Sequence, residues 1–223
     1  EMTESIEQYD GFVAQFAGDA VVGGFGAPLD DTHHAEHAVL AALECIRRVD
    51  LLKDKLELPH HLKLKIRIGI SSGELLVGNI GSERRLNYAI VGDDINLAAR
   101  LEGLNKVYGT HVLVNGETKK LCSDELIFRE IDTVKVVGRN TPTVIFEPLG
   151  RRGELPAGLT EISETFSEGL KHYRNRDFAK AEAAFRKIEN TDAVAKVFVT
   201  RTKSFIKNPP SDDWDGVHVL DSK

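Results

Sequence analysis

The spacing of apolar residues changes period repeatedly along most of the chain and then stops changing. Up to about Leu149, runs with every second residue apolar alternate with runs spaced three and four apart; beyond it only the second spacing occurs. Interleaved strands and helices of this kind build a sheet with helices packed on it, an α+β arrangement. A purely helical remainder reads as an appendage. With 223 residues, 41% of them hydrophobic, the chain has material for one domain of ordinary size plus that small α-helical tail.

Residues 1–9 read as the end of a helix. Residues 11–17 alternate Phe12, Ala14 and Phe16 against Val13 and Gln15, Gly18-Asp19 turns the chain, and residues 20–25 return as a second strand. Asp19 then sits at a hairpin tip. Asp30, Asp31 and Thr32 offer N-caps for a long helix carrying Ala35, Val39, Ala42, Ile46, Val49 and Leu52. Residues 62–71 set Leu62, Leu64, Ile66, Ile68 and Ile70 against Lys63, Lys65 and Arg67, a strand with one buried and one basic face. Residues 74–80 and 86–91 are two further strands around a Gly81-Ser82 turn. Asp93 or Asp94 caps a helix reaching about Tyr108, with Leu97, Leu101, Leu104 and Tyr108 as its buried stripe. Asn96 and Arg100 stack one turn apart on a face rotated away from that stripe. Residues 112–114, 128–137 and 143–147 are strands, and 117–121 a short helix.

The boundaries expected are 1–149 for the α+β domain, 150–158 for a Gly-, Arg- and Pro-containing linker, and 159–223 for the tail. Within the tail, residues 159–174 and 177–188 are helical runs joined by Asn175-Arg176, with Gly169, Ala181 and Phe185 at tetratricopeptide-like spacing. One such repeat buries little, so it should pack on a third helix at 193–206 or on the sheet domain, before Pro209-Pro210 ends the helices. Trp214, the single Trp, reads as a dock for the C-terminus.

A formal net charge of -6 argues against a nucleic-acid partner. Cys45 and Cys122 give neither a disulfide framework nor zinc spacing, which fits a reducing, cytoplasmic setting. No apolar run approaches the roughly 20 residues that span a bilayer. His33, His34 and His37 start a helix, and the i, i+4 pair lacks a third ligand, so they read as a solvated first turn.

Three segments carry chemistry: Gln15-Phe16-Ala17-Gly18-Asp19, Arg67-Ile68-Gly69-Ile70-Ser71-Ser72-Gly73-Glu74, and Gly92-Asp93-Asp94-Ile95-Asn96-Leu97-Ala98-Ala99-Arg100. In order and spacing they resemble the class III nucleotidyl cyclase catalytic domain, which makes cyclic AMP or cyclic GMP. The resemblance covers residues 1–149. It implies a ferredoxin-like sheet with helices on one side, and a head-to-tail homodimer whose two active sites are shared across the interface. The implied reaction converts ATP or GTP: the ribose 3′ oxygen attacks the α-phosphate and pyrophosphate leaves. Two divalent cations per site, Mg²⁺ or Mn²⁺, would take hard oxygen ligands. Asp19 matches the second metal-binding aspartate, Asn96 the residue that orients the ribose, and Arg100 the guanidinium that stabilises the transition state. A planar, permanently charged fork suits that last role. Arg84 or Arg85 would contact the triphosphate.

Singly, each residue has an ordinary explanation: Asp19 as a turn residue, Asn96 as a polar helix position, Arg100 as half of a surface ion pair. Together and in order they favour an enzyme over a degenerate cyclase fold that binds nucleotide or only dimerises. The chain also departs from the pattern. The family's first metal aspartate lies on an Asp-x-x-Gly-Phe-Thr strand ahead of the Asp19 hairpin, and Asp10-Gly11-Phe12 directly precedes the Gln15 strand and cannot be that element. The expectation is a domain without its first strand. At the two positions that read the purine, Gln15 replaces the usual Lys and Ala89 the usual Thr or Asp, so neither selects adenine or guanine. Val136-Val137-Gly138 stands where Val-Lys-Gly is usual, and Lys135, two residues before Val137 on the same strand face, could take over the triphosphate. An upstream sensor domain, membrane-bound in many bacterial multidomain cyclases, is also implied.

Overall fold

The computed structural model describes residues 1–56, 64–82, 85–136 and 141–219. In chain order the elements are α1 (Met2–Gln8), β1 (Phe12–Ala17), β2 (Ala20–Gly24), α2 (His34–Lys55), β3 (Ile68–Ile70), β4 (Leu76–Ser82), β5 (Arg85–Val91), α3 (Asp93–Tyr108), β6 (Val112–Asn115), α4 (Gly116–Leu121), β7 (Leu126–Lys135) and β8 (Thr143–Arg151). Three helices, α5 (Leu159–Arg174), α6 (Phe178–Arg186) and α7 (Ala193–Lys207), and a short strand β9 (His218–Val219) complete it. This is the mixed α+β fold that the alternating periods predict.

The main sheet has five strands in the order β3-β6-β8-β7-β9. β3 runs parallel to β6 and β9 parallel to β7, while β8 is antiparallel to both its neighbours. β1–β2 and β4–β5 are separate antiparallel hairpins. They touch each other, with the Phe12 and Tyr88 rings edge-on at 5.4 Å.

Both faces of the main sheet are covered, where the resemblance implied helices on one side. The reason lies in β6. Val112 and Val114 are buried with Val39, Leu40 and Ala42 of α2, whereas Leu113 between them is buried with Leu97, Leu101 and Leu104 of α3. Successive side chains point to opposite faces, so an unbroken Val-Leu-Val run demands cover on both. α2 supplies one layer. α3 supplies the other, together with Phe166 of α5, Phe185 of α6 and Phe198 of α7, all in one continuous apolar cluster.

Several local details differ from the sequence pattern. β3 is confined to Ile68–Ile70 although apolar alternation starts at Leu62, because its pairing with β6 ends there; residues 62–63 lie outside the described set. The β4–β5 ladder continues through Gly81↔Leu86 to Ser82↔Arg85, so Gly81-Ser82 is strand and not turn. α3 begins after Gly92 with no side-chain cap, and α2 after His33. Asp31 nonetheless serves the start of α2, accepting from the His33 backbone N–H and bonding the His37 ring, both at 2.8 Å. Trp214 does dock the C-terminal segment, its ring 5.2 Å from Tyr173 and 5.4 Å from Phe205.

Candidate active site

The second and third motif segments meet in the structure, and two glycines let them meet. A Cβ on Gly69 would lie 2.0 Å from the Ala98 carbonyl oxygen and 2.4 Å from the Glu102 nitrogen. A Cβ on Gly73 would lie 1.9 Å from Asp94 Oδ2. α3 therefore lies flush on β3, backbone against backbone. Three hydrogen bonds hold it there: Ser71 Oγ donates to Asp94 Oδ1 at 2.7 Å, Asn105 Nδ2 donates to the Ile68 carbonyl at 3.0 Å, and Arg67 Nε donates to Glu102 at 2.8 Å. Asp94 thus ties the helix to the loop after β3 instead of capping it. Gly69, Ser71, Gly73 and Asp94 seat the helix that carries Asn96 and Arg100; sequence reading gave the first three no structural role and expected Asp94 as a possible cap. The available signal was the pair of glycines four residues apart flanking Ser71.

On the helix so placed, Leu97, Leu101, Leu104 and Tyr108 are buried. Asn96 is exposed and Arg100 half-buried on the other side, as their spacing predicts. Among the described residues, no side-chain hydrogen bond or ion pair engages Asp19, Asn96, Arg100 or Lys135. For Arg100 this matters. Arg67, Arg129, Arg174 and Arg201 each reach a carboxylate, whereas among the described residues the half-buried Arg100 guanidinium pairs with none.

The other site residues lie elsewhere. Gln15 is exposed on β1, opposite Val22, and Asp19 is exposed at the tip of the β1–β2 hairpin. Ala89 is half-buried on β5 opposite Gly78, on the hairpin that touches β1. Arg85 is in β5 opposite Ser82, and Arg84 lies outside the described residues. Lys135, exposed at the end of β7, alternates with Val134, which is buried with Leu97 and Leu101. Its side chain accordingly belongs to the face away from α3. Val137 and Gly138 are outside the described residues. The structure thus sets Asn96 and Arg100 one turn apart on α3, and places Gln15 and Ala89 on two hairpins that touch through Phe12 and Tyr88. Within one chain, no described hydrogen bond or ion pair joins the Asp19 hairpin to α3.

The fit of a divalent cation can be tested on these residues. Asp19 offers hard oxygen, the right donor for Mg²⁺ or Mn²⁺. Among the described residues, however, no group of three His, Cys, Asp or Glu side chains could hold a metal ion. One exposed carboxylate does not make a two-cation centre.

The face of β4–β5 that carries Ala89 also carries Leu76, Ile80 and Val91, which are 68%, 37% and 51% exposed. Phe16, beside Gln15 on β1, is 67% exposed. So many bare apolar side chains around candidate binding positions mark an association surface.

Comparison with known proteins gives a consistent result. A family model described as the adenylate and guanylate cyclase catalytic domain matches residues 1–147. Adenylate cyclase 1 of Rhizobium meliloti (strain 1021) is 39% identical over 148 residues, which is 66% of this chain and 22% of that protein. The crystal structure of the adenylyl cyclase CyaB from P. aeruginosa superposes with a TM-score of 0.62 at 29% identity, covering 70% of this chain and 80% of that one. The crystal structure of the guanylyl cyclase Cya2 gives 0.57 at 31% identity, covering 69% and 77%. The chain spans only 10% to 29% of the length of three curated relatives it matches.

Proposed function

Since the chain belongs to the family of adenylate and guanylate cyclase catalytic domains, we propose that it converts ATP or GTP to the 3′,5′-cyclic nucleotide and pyrophosphate as a signalling output domain. One observation carries this reading: the Arg100 and Asn96 side chains, one turn apart, engage no partner among the described residues and stand on the outer face of a helix seated on Gly69 of β3 and tied through Asp94 to the loop after it. In this reading Asn96 orients the ribose by hydrogen bonding. Arg100 meets the phosphoryl oxygens as charge develops on them, a task for a rigid bidentate donor that no carboxylate has neutralised.

The active form we propose is a homodimer. Among the described residues no hydrogen bond or ion pair connects Asp19 with Arg100, and the exposed Phe16, Leu76, Ile80 and Val91 give a second copy an apolar surface to cover. A shared site would then draw Asp19 from one protomer and Asn96 and Arg100 from its partner. Gln15 and Ala89 take the purine, and Arg84, Arg85 or Lys135 the triphosphate. Neither purine position is selective, so ATP is favoured over GTP only weakly. The residues present do not by themselves make the two-cation centre of this chemistry. The proposed Mg²⁺ or Mn²⁺ requirement rests on Asp19 together with ligands beyond the described residues. Among those residues no helix is long and apolar enough to cross a membrane; a cytoplasmic location and an upstream sensor are part of the proposal.

The test is direct. Full-length protein incubated with ATP or GTP and Mn²⁺ should yield cyclic nucleotide by HPLC, and EDTA should abolish it. No cyclic product from either nucleotide would remove the enzyme reading and leave a nucleotide-binding or dimerisation module.

A further inference from the structure

We infer that the C-terminal helices belong to the machinery that places α3, and that Arg201 is a positioning residue for Asn96 and Arg100. The inference rests on the cyclase reading above and concerns residues outside all three motif segments.

α3 is held at both ends by different parts of the chain. From Asp94 to Asn105 it rests on β3 and the loop that follows. Its last residue, Tyr108, is fully buried and donates its hydroxyl to Asp132 Oδ2 at 2.6 Å. The same oxygen receives Arg201 Nη1 of α7 at 2.6 Å, and Arg201 Nη2 reaches the Tyr108 hydroxyl at 3.5 Å. The other oxygen, Oδ1, accepts the Thr133 backbone N–H at 2.9 Å. Asp132 and Arg201 side chains are 1% and 9% exposed, so neither charge has water as an alternative partner. Burial pushes the Tyr108 phenol far upward, which keeps it a proton donor to this carboxylate. One residue further on, a Cβ at Gly109 would lie 2.6 Å from Ala193 Cβ, so the first turn of α7 abuts the end of α3.

The tail is in turn fastened to β7. Arg129 grips Asp192, the N-cap of α7, with Nη1 and Nη2 at 2.7 and 3.0 Å, and gives Nε to Glu147 at 2.7 Å. Arg174 at the end of α5 pairs with Glu130. Beyond the helices, β9 adds to the edge of β7 at Val134↔His218 and Lys135↔Val219. An appendage that only followed the domain would not need charged anchors at residues 129, 130 and 132 of one strand.

Tyr108 and Arg100 are eight residues apart on one helix, about 12 Å at 1.5 Å per residue, so a rigid rod transmits a shift at one to the other. Misplacement of a catalytic group by about 1 Å can cost on the order of a hundredfold in rate. Loss of the Arg201 anchor should therefore act on turnover more than on substrate binding.

The experiment compares Arg201→Ala, Arg201→Lys and Tyr108→Phe with wild type in the full-length protein. It reads kcat and KM for cyclic nucleotide formation, and amide hydrogen exchange over α3 and α2 in the same samples. Arg201→Ala should lower kcat by about tenfold or more with KM within about threefold, and speed exchange across residues 97–108 while α2 is unchanged. Arg201→Lys should recover part of the loss, and Tyr108→Phe, which removes one hydroxyl, should show a smaller loss of the same kind. A kcat within about twofold of wild type for Arg201→Ala, or exchange that accelerates equally in α2 and α3, overturns the inference. A wild type without cyclase activity would sink the cyclase reading alone, because unchanged α3 exchange in Arg201→Ala would still refute positioning and selective acceleration would still support it.

Discussion

The layer formed by α3, β7 and the three C-terminal helices differs from the two hairpins β1–β2 and β4–β5 in how it uses its side chains. In the first region charges are spent on structure: Arg129, Arg174 and Arg201 all reach carboxylates, and Phe166, Tyr173, Phe185 and Phe198 are buried to within 1%. In the second, large apolar groups face outward, and the two hairpins meet each other through the Phe12 and Tyr88 rings. One region is finished within a single chain; the other leaves its apolar groups bare. The candidate site divides along the same line. Asn96 and Arg100 ride on the finished layer, Gln15, Asp19 and Ala89 on the unfinished hairpins, and a site assembled between two copies joins one to the other.

The sharpest way to break this comparison is to unfasten the finished layer. Arg129→Met strands two buried carboxylates, and loss of one partner from a buried pair costs about 3–5 kcal/mol. Urea denaturation at neutral pH should show a loss of that size; less than about 1 kcal/mol would mean the tail is not bolted to the sheet. The deficit should depend on pH. Burial already raises the Glu147 carboxyl above its usual 4.5 despite Arg129, and without Arg129 it rises further. An acid whose folded pKa is raised binds protons more readily when folded. Relative to wild type, the part of the deficit due to Glu147 is therefore fully present above the variant's raised pKa and shrinks as pH falls through it toward the wild-type value, itself above 4.5.

A smaller effect is expected where the layer meets β3. Gly69→Ala brings a Cβ against the Ala98 and Glu102 backbone, which cannot yield unless α3 moves. About 1–3 kcal/mol of stability should go, and the melting temperature should fall accordingly. Unchanged stability would show that α3 is not seated on β3 as described. The smallest effect on folding belongs to the hairpins. Leu76→Ser with Phe16→Ser should change monomer stability by less than about 0.5 kcal/mol per site, yet weaken self-association measured by sedimentation. Unimpaired self-association would remove these faces from the dimer.

Much of this was legible in the sequence, and the exceptions share a cause. The period of Leu97, Leu101, Leu104 and Tyr108 identifies the buried side of α3 and so the exposed positions of Asn96 and Arg100, because helix geometry is local. What covers the buried side is not local. Tyr108, Asp132 and Arg201 come from three separate elements, and no window of sequence contains the pair Gly69 and Ala98. Asp94 was misjudged as a cap because Asp at a helix start is common, whereas its partner Ser71 lies 23 residues earlier. Among its described residues, the strand expected at 62–71 narrowed to β3 for the same reason: alternation marks a face, but a strand needs a partner for its ladder, and of that run β6 pairs with Ile68–Ile70. The placement of the candidate residues on hairpins and helix follows from folding, and the proposal that a second copy completes the site rests on what folding leaves exposed.

That completion is the central claim, and complementation tests it most directly. In the full-length protein, Arg100→Ala should lower kcat by on the order of a hundredfold to a thousandfold with little change in KM, the loss of about 3–4 kcal/mol of transition-state stabilisation. Asp19→Ala should be similarly inactive. Mixed in equal amounts under conditions where protomers exchange, the two variants form heterodimers with one site carrying both lesions and one carrying neither. Cyclic nucleotide formation should then return to a substantial fraction of wild type. If the exchanged mixture stays as inactive as either variant alone, Asp19 and Arg100 do not belong to a site shared between two copies.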